Sequence, residues 1–428
     1  MKYDPINPQL FIENRKRYSS HLKPNSISIF HSNDEMPRSA DQFHMFRQNP
    51  DTFYLSGIDQ EETILLLYPD SPRPEYKEVL FLKRTNEHIA VWEGHKYTID
   101  EAKKASGINT IVWVDEFDVI LNLLMIYADN CYLNLNENDR QVMKVEYRDL
   151  RFAKEIKNRF PLHNYERSGK IMMQLRSIKS QFEIDIISHA CSITEKAFRR
   201  VMKFVKPGVM EYEVEAEIMH EFISNRAWFA YYHIIASGSN ACVLHYVENN
   251  KVCKDGDMLL LDFGSEYANY ASDLSRTIPV NGKFTSRQKD MYNAVLRVMK
   301  QAKSMLRVGT ILNDYNAEVG KLMEIELIKL GLLNADEVKK QNPEKPLYKK
   351  YFMHGTSHFM GLDVHDIGNR FTPMQAGMLF TCEPGIYVPE ENIGIRIEND
   401  ILITATGQID LMSSIPIEVE EIEELMIK

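Results

Sequence analysis

Four acidic residues set inside or at the ends of apolar runs constrain this chain more than any other feature of its sequence. Met258-Leu-Leu-Leu-Asp262-Phe-Gly264 puts a carboxylate among large apolar side chains. Such a residue does not escape burial, and a buried carboxylate needs a partner. Asp273 opens Leu274-Ser-Arg-Thr-Ile278 eleven residues later, and a hairpin turning near Glu266 to Tyr270 would bring the two aspartates side by side. Glu383 follows Leu379-Phe-Thr-Cys382, and Glu398 ends Gly394-Ile-Arg-Ile-Glu398. His233, His245, His354, His358 and His365 fall in the same half of the chain.

Taken singly, these residues are ordinary turn caps, ion-pair partners or satisfied core histidines. Taken together they carry a cost. If the four carboxylates converge, each like-charge pair at ~5 Å and an effective dielectric of ~20 costs about 3 kcal/mol, and the six pairs approach ~20 kcal/mol. Protons or cations must then compensate. Two divalent ions neutralise four carboxylates, and a histidine completes the shell. An oxygen-rich set with one imidazole suits manganese first, with cobalt, zinc or iron as alternatives. Such ions lower the pKa of a bound water from about 15.7 to ~7 and polarise a carbonyl. Spacing alone does not say which histidine takes part, and His354-x-x-x-His358 also fits one face of a helix.

The rest of the chain has room for such a site. Its 428 residues suffice for two or three buried cores. A 44% apolar and 26% charged composition excludes disorder, collagen-like repeats and a disulfide-stapled miniprotein. The net charge of −10 disfavours a nucleic-acid partner, whose recognition rests on basic surface. No apolar run reaches the ~18–20 residues of a membrane span, so no membrane partner is expected. Met1-Lys2-Tyr3-Asp4-Pro5 lacks the pattern of a secretory leader, and five cysteines without a CxxC pair read as reduced thiols. Both features set a cytoplasmic expectation.

Ser26–Phe30, Thr63–Tyr68, Glu78–Leu82 and Thr110–Val114 read as strands, with helical stretches between them. They imply an α/β domain. The polar stretch Tyr165-Glu-Arg-Ser-Gly-Lys170 marks its end, which divides the chain into domains at 1–172 and 173–428. Ser180-Gln-Phe-Glu183 fits a capping box, followed by Ile186, Ala190, Ile193 and Ala197 on one helical face, and Pro207-Gly208 stops the run. Pro-Gly208 with Ala216-Glu-Ile218 is echoed 101 residues later by Val-Gly309 with Ala317-Glu-Val319. The echo suggests a C-terminal α+β domain of two similar halves. The acidic final residues, Glu418 to Glu424, read as a solvated helix.

Other catalytic signatures fail. His220-Glu221 lacks the second histidine of a zinc-protease helix, Gly355-Thr-Ser357-His-Phe359 lacks the last glycine of a nucleophile elbow, and no nucleotide-binding glycine loop is present. What remains is Asp262 with Asp273, His354-Gly-Thr-Ser-His358-Phe-Met-Gly-Leu-Asp-Val-His365-Asp, Cys382-Glu383-Pro-Gly-Ile-Tyr387 and Gly394-Ile-Arg396-Ile-Glu398. In that order they resemble the motifs of the pita-bread metallopeptidases, and within them the Xaa-Pro aminopeptidase (aminopeptidase P) family. Arg38-Ser-Ala-Asp41, Phe46-Arg-Gln-Asn49, Phe53-Tyr-Leu-Ser-Gly57 and Ser237 through Tyr246 extend the resemblance over nearly the whole chain.

The resemblance implies an aminopeptidase P-type α/β N-terminal domain and an α+β pita-bread catalytic domain holding two divalent metal ions. It implies Asp262, Asp273, His358, Glu383 and Glu398 as ligands, with Asp273 bridging and Glu383 also moving a proton. His245 and His365 are implied to hold the scissile carbonyl and its oxyanion, and His354 to face the proline side of the substrate. Arg396 would orient the carboxylates, and Trp92, in Val91-Trp-Glu-Gly94, resembles a tryptophan lent by a neighbouring subunit in some members. Implied partners are peptides beginning Xaa-Pro and further copies of the chain, as a dimer or tetramer. A prolidase restricted to Xaa-Pro dipeptides is the nearest alternative, and a metal-free pita-bread protein a remote one.

Overall fold

The computed structural model describes residues 3–135, 137–141 and 144–427. They divide into two compact units, one spanning Asp4–Arg176 and the other Ser177 onward together with Tyr3.

The four apolar runs of the first unit are strands Ser26–His31, Ile64–Leu67, Glu78–Leu82 and Thr110–Trp113. Ser26–His31 lies inside a six-stranded mixed sheet, antiparallel to Ile64–Leu67 and parallel to Asn130–Leu133. Glu78–Leu82 and then Thr110–Trp113 extend one side, and Asn164–Arg167 closes the other. Ser26–His31 and Ile64–Leu67 are buried throughout, which is why they read as continuous apolar runs and not as alternation. Helices Phe117–Met125 and Arg148–Arg159 supply Leu121, Leu124, Phe152 and Ile156 to the core against Ile27, Ile29, Leu66 and Phe81. This unit is α/β.

The second unit opens on helix Gln181–Phe204. Ser180 and Glu183 form the capping box, each side chain bonded to the other's backbone N–H. Its buried stripe runs through Ile187, Ala190, Ile193, Ala197 and Val201. Ile186, expected on that face, is half-buried, because the stripe is centred one residue further along. Helix Glu211–Ser224 follows after Gly208 at φ 95°. The second helix pair, Ser286–Met305 and Leu312–Lys329, has Gly309 at φ 90° in the equivalent connection, so the sequence echo is also a backbone echo. Each pair precedes a three-stranded sheet. The first contains Ile234–Ser237, Met258–Phe263 and Leu274–Pro279, and the second Leu379–Cys382, Asn399–Ile403 and Gln408–Asp410.

Two local features position the site. Ser265–Tyr267 turns at Ala268 and Asn269, both at positive φ (52° and 65°), and returns as Tyr270–Ala271. The chain then re-enters beside its own earlier strand, with Asp262 opposite Ser275. Ribbon Gly385–Val388 and Ile393–Arg396 folds back so that Gly385 faces Arg396. The segment from His354 to His358 is irregular and not a helix.

The final helix, Val419–Met426, corrects the expectation of a solvated one. Val419, Ile422 and Met426 are buried. Glu423 is buried too, bonded to Lys283 Nζ at 2.5 Å and Phe284 N at 3.0 Å.

A buried ion pair fastens the irregular segment downstream of His358. Lys179 Nζ lies 3.2 Å from Asp366 Oδ2, with both side chains 1% exposed. Asp366 also donates its N–H to Phe359 O at 2.9 Å. Removing one partner of such a pair strands a charge in a medium that solvates it poorly. Lys179→Met is expected to lower unfolding free energy by about 3–5 kcal/mol, read as a lower urea midpoint at unchanged slope. A loss under ~1 kcal/mol would show that water reaches Asp366 and that the pair does not hold this segment.

Candidate metal centre

The two halves of the second unit contribute different donors to one buried cluster. Asp262 comes from the central strand of the first sheet, and Asp273 immediately precedes that sheet's neighbouring strand. The Tyr231 hydroxyl lies 2.7 Å from Asp262 Oδ1 and also bonds Asp273 Oδ1. One hydroxyl proton cannot serve two carboxylates at once, so this pairing requires a further proton or a cation.

From the second half come His358, Glu383 and Glu398. Strand Leu379–Cys382 fixes two of them. Thr381 exchanges bonds with the His358 backbone at 3.1 Å each way, and Glu383 N donates to Thr356 O at 2.8 Å. His358 Nδ1 sits 3.0 Å from Phe359 O, which fixes the N–H there and leaves Nε2 as a lone-pair donor. That lone pair faces Asp273 Oδ2 at 3.5 Å and Glu383 Oε1 at 3.8 Å. Three electron-rich atoms facing one another repel unless a cation or a proton lies among them.

Glu398 is held by its N–H to Ser275 O at 3.0 Å and by Ser275 Oγ to its Oε2 at 2.7 Å. Its Oε1 is buried and has no hydrogen-bond partner among the described residues. An orphaned carboxylate oxygen at this depth is what a cation ligand looks like without its cation. Ligand atoms of Asp273, His358 and Glu398 all lie within 4.8 Å of one another.

The electrostatics agree. Burial, and next the Asp262 charge, push the Asp273 carboxyl up to about 8. Burial pushes Glu383 up to about 7 against the opposing pull of His358 and Arg396. Burial and then Asp273 push Glu398 well above the usual range. Arg396 is the cation built into the cluster, and it does not offset every carboxylate. Its Nη2 bonds Asp262 Oδ2, its Nε bonds Ser275 Oγ at 2.8 Å, and its Nη1 bonds the Tyr387 hydroxyl at 2.8 Å. The donor set therefore fits divalent cations.

Histidines surround this cluster. The His365 ring meets His358 edge-on, with centroids 4.5 Å apart and planes at 88°. His354 Nδ1 is 2.7 Å from Gly355 O, so its Nε2 accepts from the Tyr387 hydroxyl at 2.8 Å. Burial, and then the Arg396 charge, push His354 down to about 3, so the ring is neutral. His245 is exposed, on the turn after Gly238–Cys242, and is close enough for its charge to act on His354. His233 lies apart, buried among Phe222, Phe229 and Phe263. Trp92 belongs to the Asp4–Arg176 unit and is an exposed residue of helix Glu87–Glu93.

Sequence reasoning missed Tyr231 and Ser275 and gave Tyr387 no role. Ser275 stands beside Arg276 and Thr277 in the buried strand Leu274–Pro279, so nothing in the sequence singles it out. Tyr231 carries no signal either, since its partners lie 31 and 42 residues further along the chain.

Comparison with known proteins accords with this arrangement. Residues 185–405 match the model of metallopeptidase family M24, and residues 11–132 that of the aminopeptidase P N-terminal domain. The chain is 35% identical to the Xaa-Pro aminopeptidase of Escherichia coli, over 99% of this chain and 98% of the relative. It is 30% identical to Xaa-Pro aminopeptidase 3 of Homo sapiens, over 92% of this chain and 79% of the relative. Zinc-substituted E. coli aminopeptidase P in complex with product superposes with a TM-score of 0.87 at 33% identity, covering 99% of both chains. The chain belongs to metallopeptidase family M24, as a metalloaminopeptidase that carries the aminopeptidase P N-terminal domain.

Proposed function

We propose that this chain removes the first residue from peptides whose second residue is proline, with Asp262, Asp273, His358, Glu383 and Glu398 holding two divalent cations. The observation that carries the reading is the buried convergence of acidic donors around an unpartnered Glu398 oxygen. Manganese is the first choice for an oxygen-rich shell with one imidazole, ahead of cobalt, zinc or iron. When bound, such ions supply a water acidified toward neutral pH and a Lewis acid for the scissile carbonyl.

The residues of the chain do the rest. Asp273 faces Asp262 through Tyr231 on one side and His358 on the other, as suits a carboxylate shared between two ions. Glu383 keeps 20% of its side chain exposed against 7% for Asp273, so it is the ligand that water and substrate reach. It takes the proton of the attacking water and returns it to the departing proline nitrogen. His245 and His365 hold the carbonyl and the oxyanion that develops from it. His354 lines the proline side, its ring set by the chain of bonds from Arg396 through Tyr387. A proline nitrogen carries no hydrogen, so a site that grips the free amino terminus and leaves room for the ring can use a bond that other peptidases cannot.

The protein works in the cytoplasm as a homo-oligomer. Five unpaired cysteines accord with a reducing compartment. Val91 and Trp92, at 80% and 77% exposure on one short helix, accord with a surface that a second copy covers and with Trp92 reaching that copy's substrate.

Chelation is expected to abolish turnover and Mn²⁺ to restore it. Asp273→Asn should lower bound metal by at least one ion per chain, measured by elemental analysis beside activity. Full turnover in exhaustively stripped protein, or wild-type metal content and rate in Asp273→Asn, would contradict the mechanism. Specificity is read separately with an Arg-Pro-Pro peptide and an Xaa-Pro dipeptide. The aminopeptidase reading expects release of arginine from the longer peptide, whereas cleavage of the dipeptide alone would make the protein a prolidase.

A further inference from the structure

The His245 ring makes no hydrogen bond among the described residues, yet the role proposed for it demands a fixed position. The structure contains a group suited to fix it from below. Glu211 is the first residue of helix Glu211–Ser224 and is fully buried. Its Oε1 accepts from Ser237 N at 2.8 Å, Ser237 Oγ at 2.7 Å and Asn240 Nδ2 at 3.1 Å. Its Oε2 accepts from the Tyr246 hydroxyl at 2.7 Å and Lys251 N at 2.9 Å.

An ordinary acid at this position would cap its own helix. None of these five donors belongs to the first turn, and Glu213 bonds the Met210 N–H instead. The donors come from both flanks of His245, residues 237 and 240 before it and 246 and 251 after it. One carboxylate thus ties the two ends of the loop, and Tyr246 is the residue next to His245. An ionised carboxylate is acceptor-only, with about four lone-pair sites, so it suits a set made only of donors.

The far side of the loop packs on the metal centre. Ala241, Tyr246 and Tyr387 share one apolar cluster, and the Tyr387 hydroxyl is the one that meets His354 and Arg396. The approach is close: a Cβ on Gly394 would lie 2.2 Å from Ala241 O.

We propose that Glu211 is a positioning residue for the hydrolysis, gathering Ser237, Asn240, Tyr246 and Lys251 so that the loop presents His245 to the scissile carbonyl. The inference rests on the role of His245 proposed above. Glu211→Gln keeps the shape but turns an NH₂ toward donors that need an acceptor.

The test is a double-mutant cycle of Glu211→Gln with His245→Ala, using Mn²⁺-loaded enzyme, an Arg-Pro-Pro peptide and metal content as a control. Loss of one oxyanion donor predicts a fall of about 100-fold in kcat for His245→Ala. Glu211→Gln should lower kcat about tenfold or more with metal retained, yet cost less than about twofold in the His245→Ala background, because residues acting as a unit are not additive. The same factor in both backgrounds would overturn the positioning role while leaving His245 its own. A silent His245→Ala would remove the reading of His245 and this inference with it. If Glu211→Gln does not fold, Tyr246→Phe replaces it in the cycle. That variant removes one donor and keeps the ring in its cluster, and a smaller effect that vanishes in the His245→Ala background is expected. An undiminished effect there would refute the proposal.

Discussion

The mutual repulsion of carboxylates out of reach of water is the constraint on which the catalytic unit is built. Asp273 and Glu398 are 5% and 2% exposed, and both carboxyls are driven upward, Asp273 by burial and then by Asp262, and Glu398 by burial and then by Asp273. A fold that buries such a set without compensation loses stability at every pair. Compensation here is partly built in, through Arg396 and Ser275, and the remainder is the deficit that cations fill. The same deficit that makes the apoprotein electrostatically incomplete is what gives it affinity for metal.

The repeated architecture explains how the donors meet. The first half contributes one aspartate from its central strand and one from just before the neighbouring strand, and the second contributes an imidazole and two glutamates from segments around its own sheet. Ser275 bridges the halves: its hydroxyl accepts from Arg396 and donates to Glu398. Arg276 beside it is completely buried and donates to Glu398 O and Asn399 Oδ1. Glu398 is therefore held, across more than a hundred residues of sequence, by Ser275 and Arg276 on a strand of the other half, a stiffer support than a loop.

Much of this was legible in the chain because the clustered acids break a pattern. An acid among Met258, Leu259, Leu260 and Leu261 is visible against its apolar surroundings, and so are Glu383 and Glu398. The central strands of the first unit were visible for the opposite reason, as unbroken apolar runs. Asn130–Leu133 and Asn164–Arg167 were not, since four residues with polar members carry little periodicity. Choosing His358 over His354 needed the family pattern. In the structure His354 Nε2 is engaged by Tyr387, whereas His358 Nε2 points at Asp273. The final helix misled because its acids are plentiful and its three apolar anchors few.

The most direct measurement of the central claim is an anomalous-difference map from crystals grown with Mn²⁺, recorded above the manganese edge. The account predicts two peaks enclosed by the side chains of Asp262, Asp273, His358, Glu383 and Glu398. A map empty there, or with manganese bound away from Glu398 Oε1 and His358 Nε2, would contradict it.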